Sequence, residues 1–150
     1  MKGQKEIIST INNLIETLKD GQEGFKQAAE GVKDPQLKSL FNEYSQQRSR
    51  FATEQSQARS LSEREPETSS SAAGALHRSW INLKSAVTRG DDHAILAECE
   101  RGEDSAVEEY KKAIDDDLSA QLREIISRQY AAIKEAHDRI RNLRDAAKKS

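Results

Sequence analysis

Apolar and small residues recur every three or four positions along almost the whole of this sequence. Near the N-terminus the series runs Ile7, Ile11, Leu14, Leu18, Gly21, Phe25, Ala28 and Val32. This spacing places the side chains on one face of an α-helix, and a helix with such a face must bury it against other helices. No segment alternates between apolar and polar residues as a half-buried strand does. The spacing therefore predicts an all-α fold.

The first joint between helices carries recognisable end signals. Gly31 is followed by apolar Val32, and this pair predicts a left-handed glycine that ends the first helix. Asp34 and Pro35 then provide an N-cap residue and a first-turn proline for the next helix. We therefore expect a short connection and a tight helical hairpin.

A second long helix and a shorter one follow. The second series runs Leu37, Leu40, Tyr44, Gln47, Phe51, Glu54, Ala58 and Leu61. Its helix must stop near Glu65, because Pro66 disfavours a helical residue before it. Residues 66–71 are expected to form a linker, and residues 72–89 a shorter helix. The buried face of the shorter helix is predicted to carry Leu76, Trp80, Leu83 and Val87.

Two more long helices complete the pattern. The third is predicted to bury Leu96, Cys99, Glu103, Ala106, Tyr110 and Ala113. The fourth is predicted to bury Leu122, Ile126, Gln129, Ile133, Ala136, Ile140, Leu143 and Ala147. Gly90-Asp91-Asp92 should end the short helix and cap its successor, and Asp115-Asp116-Asp117 should break the chain before the last helix.

The whole chain, residues 1–150, is predicted to form one domain. Its two hairpins cover residues 4–63 and 91–148, and the crossover 64–90 contains the short helix. A helix of about 18 residues spans roughly 27 Å at 1.5 Å per residue, which is enough to cross most of a bundle's length. That length favours a long crossover between the second and third helices.

Three strings carry a resemblance to a known family: KDGQEGF at 19–25, HRSWINLK at 77–84 and CERGED at 99–104. With residues 128–130 and 137–139, they resemble a bacterial family of ferritin-like four-helix-bundle proteins classed as a domain of unknown function. The resemblance covers nearly the whole chain. It implies a ferritin-like bundle of two hairpins with a short extra helix in the crossover, and an association with stress by kinship. It implies no established reaction.

Ferritin-like di-iron proteins use an inward Glu on each of two helices and a Glu-x-x-His pair on each of the other two. No Glu-x-x-His occurs in this sequence. His77, His93 and His137 are therefore expected to be surface or second-layer residues rather than metal ligands. The sequence predicts neither a metal site nor a cofactor.

Four polar residues nevertheless fall near mid-height of the predicted helices: Gln22, Gln47, Glu103 and Gln129. A hydrogen-bonded polar layer that fixes the packing register is the favoured interpretation, because a buried polar group must be paired. The alternative is an unconventional site for iron or manganese. In a polar layer Glu103 needs an amide or a basic partner, and Arg48 and Arg50 are the candidates.

Charge and cysteine content narrow the function classes. Lys and Arg total 24 and Asp and Glu total 26, so the net charge of -2 carries no bias towards nucleic acid or anionic lipid. Apolar stretches are too short for a membrane span or a secretory segment, which predicts a cytoplasmic protein. Cys99 is the only cysteine and lies on an apolar face, where a small buried hydrophobe is expected rather than a redox thiol.

Three functions follow as hypotheses. The first is a non-catalytic cytoplasmic helical protein, not an enzyme, that acts through its surface or by self-association as a homo-oligomer. The second is a metal-dependent oxidoreductase or storage protein. The third is a carrier of a small apolar ligand, held in unfilled space beside the small residues Gly21, Ala28, Gly102 and Ala106.

Overall fold

The computed structural model describes residues 4–62, 80–116 and 118–148. This part of the chain contains no strand and five helices: α1 (Gln4–Gly31), α2 (Pro35–Ser62), α3 (Leu83–Arg89), α4 (Asp92–Ile114) and α5 (Ala120–Lys148). The all-α prediction is confirmed, with four long helices and one short helix. Among the described residues, no helix combines the length and the apolar character that a membrane crossing requires.

Three of the long helices bury the faces that the spacing predicts. In α1 the series is buried from Ile11 to Val32, and Ile7 is half-buried. In α4 every predicted position from Leu96 to Ala113 is buried. In α5 the predicted face is buried as far as Ile140. Helical spacing alone was therefore sufficient to find these faces.

In α2 the predicted face is right at the start and wrong further along. Leu37, Leu40 and Tyr44 are buried as expected. Beyond Tyr44 the buried positions lie one residue later than predicted, at Arg48, Ala52 and Gln55, and the predicted positions Gln47, Phe51 and Glu54 are only half-buried. The physical reason is that a buried carboxylate on α4 makes Arg48 an acceptable core residue.

The joint between α1 and α2 is short, as predicted. Asp34 Oδ1 accepts a hydrogen bond of 2.8 Å from the backbone N–H of Gln36, and α2 begins at Pro35. The prediction of a left-handed Gly31 is wrong, because the one positive φ in the described residues is at Gly90. A Cβ on Gly31 would lie 2.7 Å from Val87 of α3. Gly31 is therefore explained by the close approach of α3.

The signals around Gly90 behave as predicted. Gly90 ends α3 with φ 65° and ψ 31° and donates a hydrogen bond to the carbonyl of Val87. Asp91 caps α4 by accepting a hydrogen bond from the backbone N–H of His93. The break between α4 and α5 also falls where the aspartate run predicts, although Asp117 lies outside the described residues.

The next residue, Asp92, ties two joints together. Its carboxylate accepts hydrogen bonds from the backbone N–H groups of Lys33 (2.9 Å) and Asp34 (3.1 Å). Those two residues belong to the connection between α1 and α2, residues 32–34, which therefore rests on the first turn of α4.

The predicted helix over residues 72–89 is only partly described. Residues 80–82 form a turn and α3 begins at Leu83, so a continuous helix through this region is wrong. Trp80 and Leu83 are buried as predicted. The linker at 66–71, the helix start at Ala72, and both Leu76 and His77 lie outside the described residues, as do the proposed boundaries at 63 and 64.

α1 packs along α2 and α4, α4 packs along α5, and α3 rests against α1 and α4. Hydrogen bonds from Arg59 to Asn12 and from Lys38 to Ala29 show that α1 and α2 run antiparallel. α2 and α5 contact each other more sparsely.

The buried apolar side chains form two clusters. The joint cluster, near the α1–α2 joint, contains Phe25, Ala28, Ala29, Val32, Leu37, Leu40, Phe41, Tyr44, Trp80, Leu83, Ala86, Ile95, Leu96, Cys99, Ala136 and Ile140. The far cluster contains Ile11, Leu14, Ile15, Leu18, Ala52, Ala106, Val107, Tyr110, Ala113, Leu118, Leu122, Ile126 and Ile133. Residues 19–24, 45–50 and 100–105 belong to neither cluster. A polar level therefore separates two apolar regions.

Candidate functional site

At this polar level Arg48 of α2 meets Glu103 of α4. Arg48 Nη1 lies 2.5 Å from Glu103 Oε1, and Nη2 lies 2.7 Å from Oε2. The two side chains are 1% and 0% exposed. Each residue lies close to the midpoint of its helix, and α2 and α4 are not close neighbours. The bidentate pair therefore joins two helices across the core.

Three neighbours hold the Arg48 side chain in place. The Arg48 side chain packs on α1 at Gly21, where a Cβ would lie 3.4 Å from Arg48 Nη1, an ordinary van der Waals distance. The Phe25 ring centroid lies 5.2 Å from Arg48 Cζ, within range of a cation–π interaction. Gln47 accepts a hydrogen bond of 3.2 Å from Arg48 Nε.

Electrostatics favours the charged form of Arg48 despite its burial. Desolvation lowers the pKa of Arg48, but the charge and hydrogen bonds of Glu103 more than offset this effect, so the pKa is raised above its usual value. Arg48 therefore stays charged in the core, and its guanidinium contacts both carboxylate oxygens of Glu103.

A second buried network surrounds Gln129 of α5. Gln129 Oε1 accepts hydrogen bonds from Tyr110 Oη (2.6 Å) and Gln55 Nε2 (3.0 Å). Gln129 Nε2 donates to Glu54 Oε1 (2.7 Å) and to the Phe51 carbonyl (3.3 Å). Burial raises the pKa of Tyr110 above its usual range, so its hydroxyl stays a donor. This network ties α5 to α2 and α4.

The four polar residues that the sequence singles out do not form one layer. Gln47 and Glu103 share Arg48 as a partner, whereas Gln129 belongs to the separate network. Gln22 is half-buried at the level of the ion pair, and its backbone carbonyl accepts a hydrogen bond from Ser45. Of the two basic candidates for Glu103, the structure selects Arg48.

Trp80 fills a slot between α1 and α4 that sequence reasoning missed. A Cβ on Gly24 would lie 2.4 Å from the indole ring, and a Cβ on Gly102 would lie 2.1 Å from it. Phe25 packs edge-on against the ring at 5.3 Å between centroids. The space that the ligand-carrier hypothesis placed beside Gly102 holds Trp80, and the space beside Gly21 holds Arg48. The signal in the sequence that could have predicted this slot was a pair of helical glycines, Gly24 and Gly102, together with a single tryptophan.

Cys99 lies one turn from Glu103 and is fully buried. Burial raises its pKa well above the usual value, and the charges of Glu103 and Glu98 raise it further. The environment is that of a buried hydrophobe and disfavours the thiolate that redox chemistry requires.

A third group of polar residues lies at the edge between α4 and α5. His137 Nε2 lies 2.5 Å from Asp104 Oδ1, and His137 Nδ1 lies 3.0 Å from Asp138 Oδ1. Burial lowers the pKa of His137, but the two aspartates more than offset this and raise it. The nearby Glu100 carboxylate contacts the Arg144 guanidinium.

The family model described as a domain of unknown function (DUF2383) matches residues 6–116, most of the chain. The chain belongs to the DUF2383 family. The DUF2383 match contains Arg48, Glu103 and the Trp80 slot, whereas α5, with Gln129 and His137, lies beyond it. The expected membership in a family of unknown function is thereby confirmed. No curated protein matches the sequence.

Proposed function

We propose that this DUF2383 protein is non-catalytic and acts through its outer surface or by self-association. Its interior serves stability, with a ferritin-like plan of two hairpins in which an ion pair stands where a metal centre would lie. The proposal rests on one observation, the bidentate Arg48–Glu103 pair between the two apolar clusters.

The chemistry of the pair explains why this level is unsuited to a metal. A pair of cations needs bridging carboxylates and imidazoles that point inward. Among the described carboxylates Glu103 alone is completely buried, and both of its oxygens already bind a guanidinium. Arg48 supplies the positive charge that a metal ion would otherwise supply.

The antiparallel packing of α1 on α2, and of α4 along α5, supports the two-hairpin plan with a crossover over residues 64–90. The resemblance to bacterial ferritin-like proteins supports a cytoplasmic protein associated with stress. Sedimentation at several protein concentrations separates self-association from action on another protein.

The test is a calorimetric titration with ferrous and manganous ions. The wild type is compared with a double variant, Arg48→Met with Glu103→Leu, which removes the pair while keeping the level filled. We expect both proteins to give the same result, because the interior takes no part in binding. A stoichiometric binding step present in the wild type and abolished in the double variant would overturn the proposal.

A further inference from the structure

Three potential ligands converge at the edge between α4 and α5. Glu100 and Asp104 lie four residues apart, and therefore on one face of α4. His137 reaches them from α5. One ligand atom from each of the three side chains lies within 4.8 Å of the others. The convergence comes from two helices and does not depend on a single run of acidic residues.

The imidazole of His137 is oriented by a fourth residue. Asp138 Oδ1 lies 3.0 Å from Nδ1 of His137, and Asp138 is itself contacted by Lys134 at 3.0 Å and Arg141 at 3.7 Å. Nδ1 can donate its proton to Asp138, and a metal ion that binds at Nε2 would replace the proton that the 2.5 Å contact with Asp104 requires. Metal-binding histidines in proteins almost always have their second ring nitrogen held in this way.

One of the two α4 carboxylates is largely buried and the other is exposed to solvent. The Glu100 side chain is 12% exposed, whereas the Asp104 side chain is 61% exposed. The Arg144 guanidinium reaches Glu100 from α5 and also lies 3.0 Å from Asp145. The space between the two α4 carboxylates thus attracts positive charge and is accessible from solvent.

We propose that Glu100, Asp104 and His137 bind a divalent transition-metal ion, with zinc as the best match. One imidazole and two carboxylates, completed by water, are ligands that zinc accepts in open sites, and the imidazole disfavours magnesium and calcium. Ligand atoms on a tetrahedral zinc lie about 3.4 Å apart, so Asp104 must move away from His137 as the ion enters. Arg144 leaves Glu100 and retains Asp145.

This site goes beyond the proposed function. It contains neither Arg48 nor Glu103, although Asp104 directly follows Glu103 in sequence, and a bound ion would fasten α4 to α5. Its failure would leave the proposed function untouched, and the converse also holds.

The test is a zinc titration in competition with a chromogenic chelator. We expect one zinc ion per wild-type chain, and about tenfold or greater weakening in His137→Gln and in Asp104→Asn. The matched control is His93→Gln, on the first turn of α4, which should bind zinc as the wild type does. Asp104 is exposed, so its variant should keep the fold, and circular dichroism checks both variants.

Two further variants sharpen the test. Arg144→Gln removes the competing guanidinium and should tighten zinc binding. The Arg48→Met/Glu103→Leu variant should bind zinc unchanged. Zinc should also raise the melting temperature of the wild type but not that of His137→Gln.

Any of three results would overturn the proposed site. The wild type could fail to take up zinc. Folded His137→Gln could take up as much zinc as the wild type, or His93→Gln could lose zinc uptake. Zinc binding lost in the Arg48→Met/Glu103→Leu variant but kept in His137→Gln would place the ion in the interior and count against the proposed function as well.

Discussion

A guanidinium in the middle of a protein core is tolerated only when an opposite charge neutralises it and its N–H groups are hydrogen-bonded. Arg48 meets both conditions through Glu103, Gln47 and the face of Phe25. Removing one member of a buried ion pair leaves the other charge uncompensated, which costs about 3–5 kcal/mol. Replacing both members with apolar residues of similar volume is often close to neutral.

These costs define a double-mutant cycle. Arg48→Met and Glu103→Leu should each lower the free energy of unfolding by about 3–5 kcal/mol, whereas the double variant should lose much less than their sum. Urea unfolding of the four proteins measures the coupling. Additive losses would mean that the two side chains do not interact in solution.

Cys99 provides a second prediction for a single residue. Its burial and raised pKa should keep the native thiol unreactive towards Ellman's reagent at pH 8, with full reaction after unfolding in urea. The absorbance of the released thiolate measures this directly. Rapid labelling of the folded protein would show that the thiol is accessible.

At the scale of elements, glycines set how closely three segments approach. Gly24→Ala and Gly102→Ala would place a Cβ 2.4 and 2.1 Å from the indole of Trp80, and such overpacking costs about 1–3 kcal/mol. Gly21→Ala is the control, because its Cβ would meet Arg48 at an ordinary 3.4 Å. Alanine favours a helix over glycine by about 1 kcal/mol, so Gly21→Ala should be near neutral or stabilising.

Trp80 is the only tryptophan and reports on this slot. The emission of Trp80 shifts to the red on unfolding. Thermal melts followed by this shift should have lower midpoint temperatures in Gly24→Ala and Gly102→Ala, but not in Gly21→Ala. Identical melts for all three variants would indicate that the slot is absent in solution.

The link between α2 and α5 should make stability depend on acid. A hydrogen bond from Arg128 lowers the pKa of Glu54, with a further contribution from Gln129. Because the folded pKa lies below the unfolded value, the contribution is complete above about pH 4.5 and is lost as the pH falls through the folded pKa. Urea midpoints should therefore fall less between pH 7 and pH 3 in Glu54→Gln than in the wild type. An equal fall in the urea midpoint in both proteins would refute the link.

The sequence predicts elements better than it predicts their contacts. The faces of α1, α4 and α5 follow from helical spacing, and Asp34, Gly90 and Asp91 act locally, so local rules find them. Gly31 depends on the approach of α3, and that distance is not encoded in neighbouring residues.

In the candidate site, too, the sequence predicts features set by neighbouring residues but not those set by contacts between helices. Glu103 and Gln129 are found because they interrupt apolar series, and Arg48 is named as a partner of Glu103. The preference for Gln47 over Arg48 as the inward residue of α2 is wrong, because the cost of burying a charge depends on a partner 55 residues away. The convergence of His137 with Asp104 and Glu100 likewise requires the packing of α5 on α4.

At the scale of the whole molecule, the residues that the structure describes form two apolar regions joined through an ionic level. Residues 19–24, 45–50 and 100–105 contain no apolar side chain, yet the helices run through them without interruption. Glu103 and Arg48 supply the contact between α2 and α4 at this level.

This ionic level also restricts how the protein can evolve. A lineage that replaces Arg48 first strands a carboxylate, and one that replaces Glu103 first strands a guanidinium, so either intermediate sequence is poorly stable. Substitutions at the two positions must then become established almost together or be preceded by stabilising changes elsewhere. Positions 48 and 103 should therefore covary across DUF2383 proteins, with other members carrying either both charges or two apolar residues.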